Sequence, residues 1–250
     1  MLRIVSYNIH KCRGLDQRVR PARIAEVLRG LDADVIALQE VVCGHEDQNG
    51  DPDPSTLTGR DQARYIAAHI GGYNYVFGEN RKHRRSGYGN AILSRLPILA
   101  AENYDLTASF REKRGCLRAD IQLPSGQVLH LFNAHLGTGY IERRRQAHKL
   151  VHESALKNPR FYGRRIVLGD FNEWSRGLVT ELLSAHLQTV DLRPHFRRLP
   201  SYPTFMPFMH LDHIYFDPVV KLRHFAMDRR RQTLIASDHL PLIAEFEVAA

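Results

Sequence analysis

An α/β fold is predicted by two observations. The run Ile166-Val167-Leu168, closed by Gly169, has the length and apolar continuity of a buried strand reaching a sheet edge. Near the N-terminus a strand, a helix and a second strand follow one another, the unit expected of an α/β layer. At 250 residues the chain can build one large α/β or all-β domain or two small ones, and its composition carries no sign of disorder or a fibrous repeat.

Leu2 to Tyr7 is the first strand, and Asn8 leaves it at the head of a polar, basic loop ending at Gly14. Pro21 stands where a first helical residue is favoured; Ile24, Val27, Leu28 and Leu31 recur at helical spacing, so one face packs inward. Ala33 to Glu40 reads as a helix end, a buried strand and a carboxylate at its tip. Cys43 to Arg60 is polar and rich in Gly, Asp and Pro, a long loop with no core of its own. A short helix is expected over Asp61 to Ile70 and a strand around Tyr73 to Phe77. The basic run Arg81-Lys82-His83-Arg84-Arg85 is either a solvated face or an attractor of phosphate, and Gly87 to Ser94 reads as a loop entering a strand.

Gly115 to Leu123 and Gln127 to Leu136 pair around the turn Pro124-Ser125-Gly126, and strand alternation delivers Asn133 and His135 to one face. Tyr140 to Leu156 is a helix with Ile141, Ala147, Leu150, Val151 and Ala155 inward and Arg143, Arg144, Arg145 and Lys149 mainly outward. Asp170 and Asn172 leave the central strand two apart, so both can face one ligand while Phe171 anchors the loop; an Asx-type turn is the competing reading. Leu178, Leu182 and Leu183 mark another short helix. Pro203 and Pro207 exclude a regular central strand from Ser201 to His210, whose aromatics and methionines either pack within the loop or dip into lipid. Leu211 to Phe216 is a strand opening on Asp212 and His213, and Ser237-Asp238-His239 lies on a loop just before a terminal strand. No repeat, low-complexity tract or domain boundary interrupts the chain.

The formal charge of +8 and a sequence pI near 9.6 favour a polyanionic partner: nucleic acid, an anionic membrane surface or a phosphorylated substrate. The three cysteines, Cys12, Cys43 and Cys116, are odd in number and far apart, which suggests neither a disulfide framework nor a thiolate zinc site and fits a reducing compartment. The N-terminal apolar stretch is too short for a signal peptide, and no later segment approaches the ~20 apolar residues of a membrane span. The expectation is a cytoplasmic protein, peripheral at most at the inner membrane face, with no protein partner inferred.

Each polar cluster, from Asn8 and Glu40 through Asn133/His135 and Asp170/Asn172 to Asp212 and Asp238/His239, lies at or beside an apolar strand. Strand ends at one sheet edge are where α/β proteins gather a site. Carboxylates, carboxamides and imidazoles without thiolates form a hard, oxygen-rich set that suits Mg²⁺ or Mn²⁺, with Glu40 the clearest ligand candidate. Adjacent Ser237, Asp238 and His239 cannot form a serine-hydrolase relay among themselves, and neither a nucleophile elbow, a P-loop nor a dinucleotide fingerprint is present.

Ser6-Tyr7-Asn8, Leu38-Gln39-Glu40, Asn133-Ala134-His135-Leu136, Gly169-Asp170-Phe171-Asn172, Leu211-Asp212-His213-Ile214 and Ser237-Asp238-His239, in that order over essentially the whole chain, resemble the endonuclease/exonuclease/phosphatase superfamily. The resemblance implies one domain over residues 1–250 with the deoxyribonuclease I-like fold, a four-layer sandwich of two packed mixed β-sheets flanked by helices. It also implies phosphoester hydrolysis with a divalent metal. Glu40 resembles the principal metal carboxylate, with Asn8 and Asp238 close to the metal or its waters. Asp170 resembles the group that orients or deprotonates the attacking water and Asn172 a donor to the phosphate or nucleophile. His239, oriented by Asp212, resembles the imidazole beside the scissile phosphate, and His135 a second phosphate-facing histidine. Arg114, Asn90, Asn133 and Thr204 are the expected phosphate or substrate contacts, with Arg118 and the run from Arg81 attracting the anion.

Apurinic-site nucleases resemble one another in carrying a tyrosine-containing motif where this chain has Asn133 to Leu136, so the His form looks more like the deoxyribonuclease, sphingomyelinase and lipid-phosphatase branches. In the deoxyribonuclease branch that histidine has an upstream glutamate partner, and Ser86 to Asn90 contains no carboxylate. The loop Ser6 to Gly14 is similar to that of bacterial members of unassigned substrate, some associated with phospholipid-metabolising enzymes. The leading expectation is a Mg²⁺-dependent phosphodiesterase or phosphatase acting on a phospholipid headgroup or small phosphoester. A nuclease comes second, and a catalytically inactive binding scaffold is opposed by the retention of every polar group named above.

Overall fold

The computed structural model describes residues 1–44, 61–84, 86–108, 111–153, 156, 158–173, 177–190 and 200–248. Most of the expected long loop (residues 45–60), Arg85 of the basic run and Ala155 lie outside the described residues. In chain order the elements are β1 (Leu2–Asn8), α1 (Pro21–Arg29), β2 (Val35–Gly44), α2 (Gln62–Ile70), β3 (Asn74–Lys82), β4 (Ser86–Ser94), β5 (Ile98–Asp105), β6 (Gly115–Gln122) and β7 (Val128–His135). There follow α3 (Tyr140–His148), β8 (Arg165–Asp170), α4 (Leu178–Ser184), β9 (Gln188–Thr189), β10 (Asp212–Phe216), β11 (Val220–Met227), α5 (Arg231–Ala236) and β12 (Leu242–Val248).

The strands form two six-stranded sheets, β11-β12-β1-β2-β4-β3 and β5-β6-β7-β8-β10-β9. Each sheet is mixed: β1/β2 and β7/β8 run parallel and the other neighbours antiparallel. Central strands read as near-continuous apolar runs because both of their faces are covered. In β1, Ile4 points into the layer between the sheets, where it joins Val35, Leu131, Ile166 and Ile214, while Val5 points outward onto Ile24, Val27 and Leu28 of α1. The second sheet's outer face packs Phe132, Val167 and Tyr215 against Ala147 of α3, Val179 and Leu183 of α4. The layers are therefore helix, sheet, sheet, helix, as the resemblance implied.

One helix is turned relative to the sequence expectation. Ala147, Leu150 and Val151 are buried as expected, yet Ile141 is exposed and Arg143 is buried. The cause is local: Arg143 donates to the carbonyls of Gly137 and Thr138, and Gln146 Oε1 accepts from the Gly137 N–H at 2.7 Å. The helix is thereby rotated to close the loop that leaves β7.

Parallel β1/β2 and β7/β8 end at a common edge of the sandwich, and antiparallel β12 and β10 begin there, with Asp212 directly opposite Asp170. Ser86, which opens β4, pairs with Gly44 at that same end of β2, and Lys82 of β3 pairs with Gly87 there. Arg81 and Lys82 therefore sit on an edge strand at the rim. Among the described residues no helix is long and apolar enough to cross a membrane.

Candidate active site

Gly169 is where the backbone permits the site to form. Its φ of +135° and a carbonyl of Ala134 only 1.9 Å from any added Cβ exclude other residues. β8 thereby passes close to β7 and delivers Asp170, 1% exposed, to the centre of the polar cluster. Asp170 Oδ1 accepts from the backbone N–H of Asn172 at 2.9 Å, and Oδ2 accepts from Asn8 Nδ2 at 2.9 Å. The Asx turn and the site are the same object. Two imidazoles face the same carboxylate oxygen: Nε2 of His135 at 3.6 Å and Nε2 of His239 at 3.7 Å.

The two histidines differ in charge. Burial alone would lower the His239 pKa, but Asp212, whose Oδ2 lies 2.9 Å from Nδ1, and Asp170 outweigh it and push it up to about 10. His239 is thus an imidazolium, and Tyr202 packs against its ring with centroids 4.9 Å apart. His135 is held neutral: burial pushes its pKa well down, and the charges of Arg114, His239 and Lys11 push in the same direction. Arg114 Nη1 lies 3.0 and 3.1 Å from its two ring nitrogens, and Arg114 Nη2 donates to Glu112 at 3.0 Å. Burial also raises the Asp170 pKa to about 6, against the lowering effects of His239 and the hydrogen bonds from Asn172 and Asn8.

Glu40 stands beside this group. Its backbone has φ +57°, at the break in β2/β4 register between Leu38 and Val41, and its side chain lies 3.4 Å from Asn8 Nδ2 and 3.3 Å from Lys11 Nζ. His10, Lys11 and Cys12 all have positive φ, and Asn172 has φ +50°. Non-glycine residues held in this region cost free energy, and such strain clusters at functional sites. The left-handed turn sets His10 Nδ1 3.5 Å from Asp238 Oδ1, so each carboxylate expected to hold a metal has a basic side chain against it. Lys11, His10, Tyr202 and Ser201, whose hydroxyl bonds Asp212, are site groups that sequence reasoning missed. Only the position of His10 and Lys11, two and three residues after Asn8, hinted at a role.

Which residues could hold a cation follows from these contacts. Asp170, Asp212 and His239 bring ligand atoms within 4.8 Å of one another. His239 is protonated and bonded to Asp212, so that trio is a hydrogen-bonded relay that disfavours a cation. Glu40, the Asn8 amide and Asp238 supply the hard oxygen donors that Mg²⁺ or Mn²⁺ takes, with Lys11 lying against Glu40 and His10 against Asp238. Among the described residues, buried Asp212 Oδ1 and Thr204 Oγ1 have no hydrogen-bond partner, leaving two polar atoms for a bound group to satisfy.

Three anion contacts expected from sequence are corrected. Asn133 is fully buried between the sheets; its Nδ2 donates to the carbonyls of Leu38 (2.9 Å) and Ala91 (3.0 Å), and its Oδ1 accepts from Gln39 at 2.7 Å. Asn90, equally buried, donates to the carbonyls of Gly115 and Asn133. Both are inter-sheet ties whose amides are spent on backbone. Arg118 is engaged with Tyr104, Glu102 and Asp120 and stacks on Phe161 at 4.3 Å, within the β5/β6 network. Asn133→Ala should therefore lower stability by about 2–3 kcal/mol, since it removes the shortest of the Gln39 amide's bonds and the donor to two buried carbonyls. Chemical denaturation checks this, with KM expected to remain within about twofold of wild type.

The chain belongs to the Endonuclease/Exonuclease/phosphatase family, whose sequence pattern matches residues 5–239. Members of that family include phosphatases and nucleases, hydrolases acting on phosphoester bonds. The uncharacterized protein YbhP of Escherichia coli is 30% identical over 98% of this chain and 96% of its own length. A mannosyl-6-phosphatase of Bacteroides thetaiotaomicron superposes with a TM-score of 0.77 at 19% identity, covering 99% of this chain and 100% of that one. The catalytic domain of human Nocturnin, with bound sulfate, gives 0.74 at 19% identity over 99% of this chain and 93% of that one.

Proposed function

We propose that this protein is a Mg²⁺-dependent hydrolase that cleaves a phosphodiester or phosphomonoester of a phospholipid headgroup or another small molecule. The observation that carries the reading is a buried carboxylate, Asp170, set between a neutral and a protonated imidazole and tied through Asn8 to Glu40. Asp170 takes a proton from water as the water oxygen bonds to phosphorus; the bond to the ester oxygen breaks, and that oxygen leaves and takes up a proton from solvent water. The His239 imidazolium donates to the non-bridging oxygens as their charge grows, Asp212 fixing its Nδ1–H. His135 lines the same oxygens, with Arg114 polarising it, while Asn172 donates its side-chain amide to the Leu136 carbonyl and its backbone N–H to Asp170 and so holds the base in place. A divalent cation on Glu40, Asn8 and Asp238 would supply further positive charge to the reacting phosphate.

Lys11, Arg114 and His239 gather around one carboxylate cluster, a charge set matched to a single phosphate group, which favours a small ester. The nuclease alternative is supported by Arg81 and Lys82 on the rim. Salt separates the two: a nuclease engaging several phosphates loses affinity by orders of magnitude between low and physiological salt, whereas a headgroup has few charges to screen. Activity on a soluble small phosphoester that is flat between 50 mM and 200 mM NaCl, about a twofold change at most, is expected. A steep fall would favour the nuclease. Glu40→Gln should raise the Mg²⁺ concentration needed for half-maximal rate by about tenfold or more, since a carboxylate ligand becomes neutral. A Mg²⁺ titration matching wild type would remove Glu40 from the metal site.

A further inference from the structure

At the active-site edge the chain exposes large apolar side chains in two places. The loop before β10 leaves Phe205 72%, Met206 63% and Phe208 64% exposed. This loop is ordered by its own backbone: Met209 N–H and Phe208 N–H donate to the Tyr202 carbonyl, Met206 N–H to Pro203, and Ser201 N–H to Met209. It is also fastened to the site, because Thr204 N–H donates to the Asp238 carbonyl at 2.9 Å and Leu240 N–H to that of Ser201. The second place is the start of α3, where Tyr140 is 64% and Ile141 67% exposed. That helix follows β7, and the Phe205 loop precedes β10; in the sheet these two strands lie on either side of β8, which carries Asp170. The two apolar tips therefore flank the catalytic carboxylate.

Leaving five such side chains in water forfeits burial, and a rigid apolar rim around a site marks a binding surface. The surrounding charge names the occupant. Tyr140 and Ile141 share a surface hollow with Arg111, Arg145 and the buried Glu142, and Tyr140 shares a second with Arg144 and Glu181, so arginines outnumber carboxylates three to two around the apolar tip. Apolar side chains interleaved with arginines, on a chain of net charge +8, match an anionic bilayer, whose headgroups attract the cations while its acyl boundary takes the apolar tips. The Phe205 loop itself contains no Lys or Arg from 200 to 210, unlike a single-stranded nucleic acid groove, where cations track the backbone beside stacking aromatics.

We infer that Phe205, Met206 and Phe208, with Tyr140 and Ile141, seat the active-site edge on an anionic phospholipid surface and present lipid headgroups to Asp170. This rests on the phosphoester-hydrolase reading and specifies where its substrate resides. The test is sedimentation of the full chain with phosphatidylglycerol/phosphatidylcholine vesicles and with pure phosphatidylcholine, alongside hydrolysis of a soluble chromogenic phosphoester. Wild type should pellet with the anionic vesicles. Phe205→Ser/Met206→Ser/Phe208→Ser should reduce pelleting by about tenfold while soluble-ester turnover stays within about twofold, because these side chains touch no reacting group. Phe205→Trp should retain binding, which separates interfacial insertion from misfolding. Failure of wild type to pellet, or a triple variant that pellets like wild type, overturns the inference and leaves the hydrolase reading standing. Tight binding of a labelled single-stranded oligonucleotide that the triple variant loses, with no vesicle binding, also overturns it and assigns the rim to nucleic acid. Pelleting without hydrolysis of any ester supports the docking surface and removes the catalytic reading.

Discussion

Asp170→Asn is expected to lower kcat by about three orders of magnitude, within the range contributed by a positioned proton-transfer group. The geometry explains why such a small change is so costly. The carboxylate oxygen that lies 3.6 and 3.7 Å from the two imidazoles also accepts from Asn8. An amide with its oxygen kept toward the Asn172 N–H turns its NH₂ group toward Asn8 and both histidines. It cannot take a proton, and it puts a donor against the Asn8 donor. Stability should change little, about 1–2 kcal/mol, because one orphaned donor is offset by removing a buried charge. A variant that melts near wild type and retains a near-wild-type rate removes Asp170 from the reaction.

The second large effect is expected at His239. His239→Ala should cut kcat by about two to three orders of magnitude and cost about 3–5 kcal/mol of stability, since among the described residues it leaves the buried Asp212 carboxylate with the Ser201 hydroxyl alone. Asp212→Asn combined with His239→Ala should recover much of that stability and none of the rate, which separates the ion pair's structural effect from its catalytic one. The pH behaviour follows from the sign of the shift. The His239 pKa is raised from 6.5 to about 10, so the stabilisation from its charge is complete below pH 6.5 and is lost as pH rises through about 10. In Asp212→Asn the principal raising partner is gone, burial then lowers the imidazole's pKa, and the alkaline limb of kcat should move toward neutral pH. A limb that stays in place would show that the rate does not depend on His239 charge.

The parts of the architecture legible from sequence are those whose physics is local. β1, β2, β7 and β8 are apolar on both faces and stood out as runs, and α1 carries its stripe at helical spacing. β5 could not be read this way: nearly all its residues are exposed, so it has no alternation to detect, and it is a strand because it pairs with β6. Gly87 and Gly89 look like a loop, yet Gly89 sits within β4 because the Gly78 carbonyl leaves only 1.9 Å for a Cβ there. Ile141 and Arg143 exchange sides because loop carbonyls of Gly137 and Thr138, invisible to periodicity, capture the arginine.

For the site, the family's motif order nominated the residues and the backbone decided their roles. The structure brings Asn8, Glu40, His135, Asp170, Asn172, Asp212 and His239 to one edge, linked by contacts among them, with Asp238 beside His239 in the chain and against His10. Asn133 shares a strand face with His135, but two residues earlier it lies inside the sandwich, where every polar group needs a partner and Gln39 and two carbonyls claim it. The successive positive-φ residues that set Lys11 against Glu40 have no signature in side-chain composition.

Hydrolysis by the purified full chain, with Mg²⁺ and with EDTA, of phospholipid vesicles, chromogenic phosphate mono- and diesters, plasmid and single-stranded DNA, and RNA tests the central claim most directly. The account predicts metal-dependent release from lipid or small esters, intact nucleic acid, and loss of that activity in Asp170→Asn. Nicking or degradation of nucleic acid that Asp170→Asn abolishes, with lipid and small esters untouched, would contradict it.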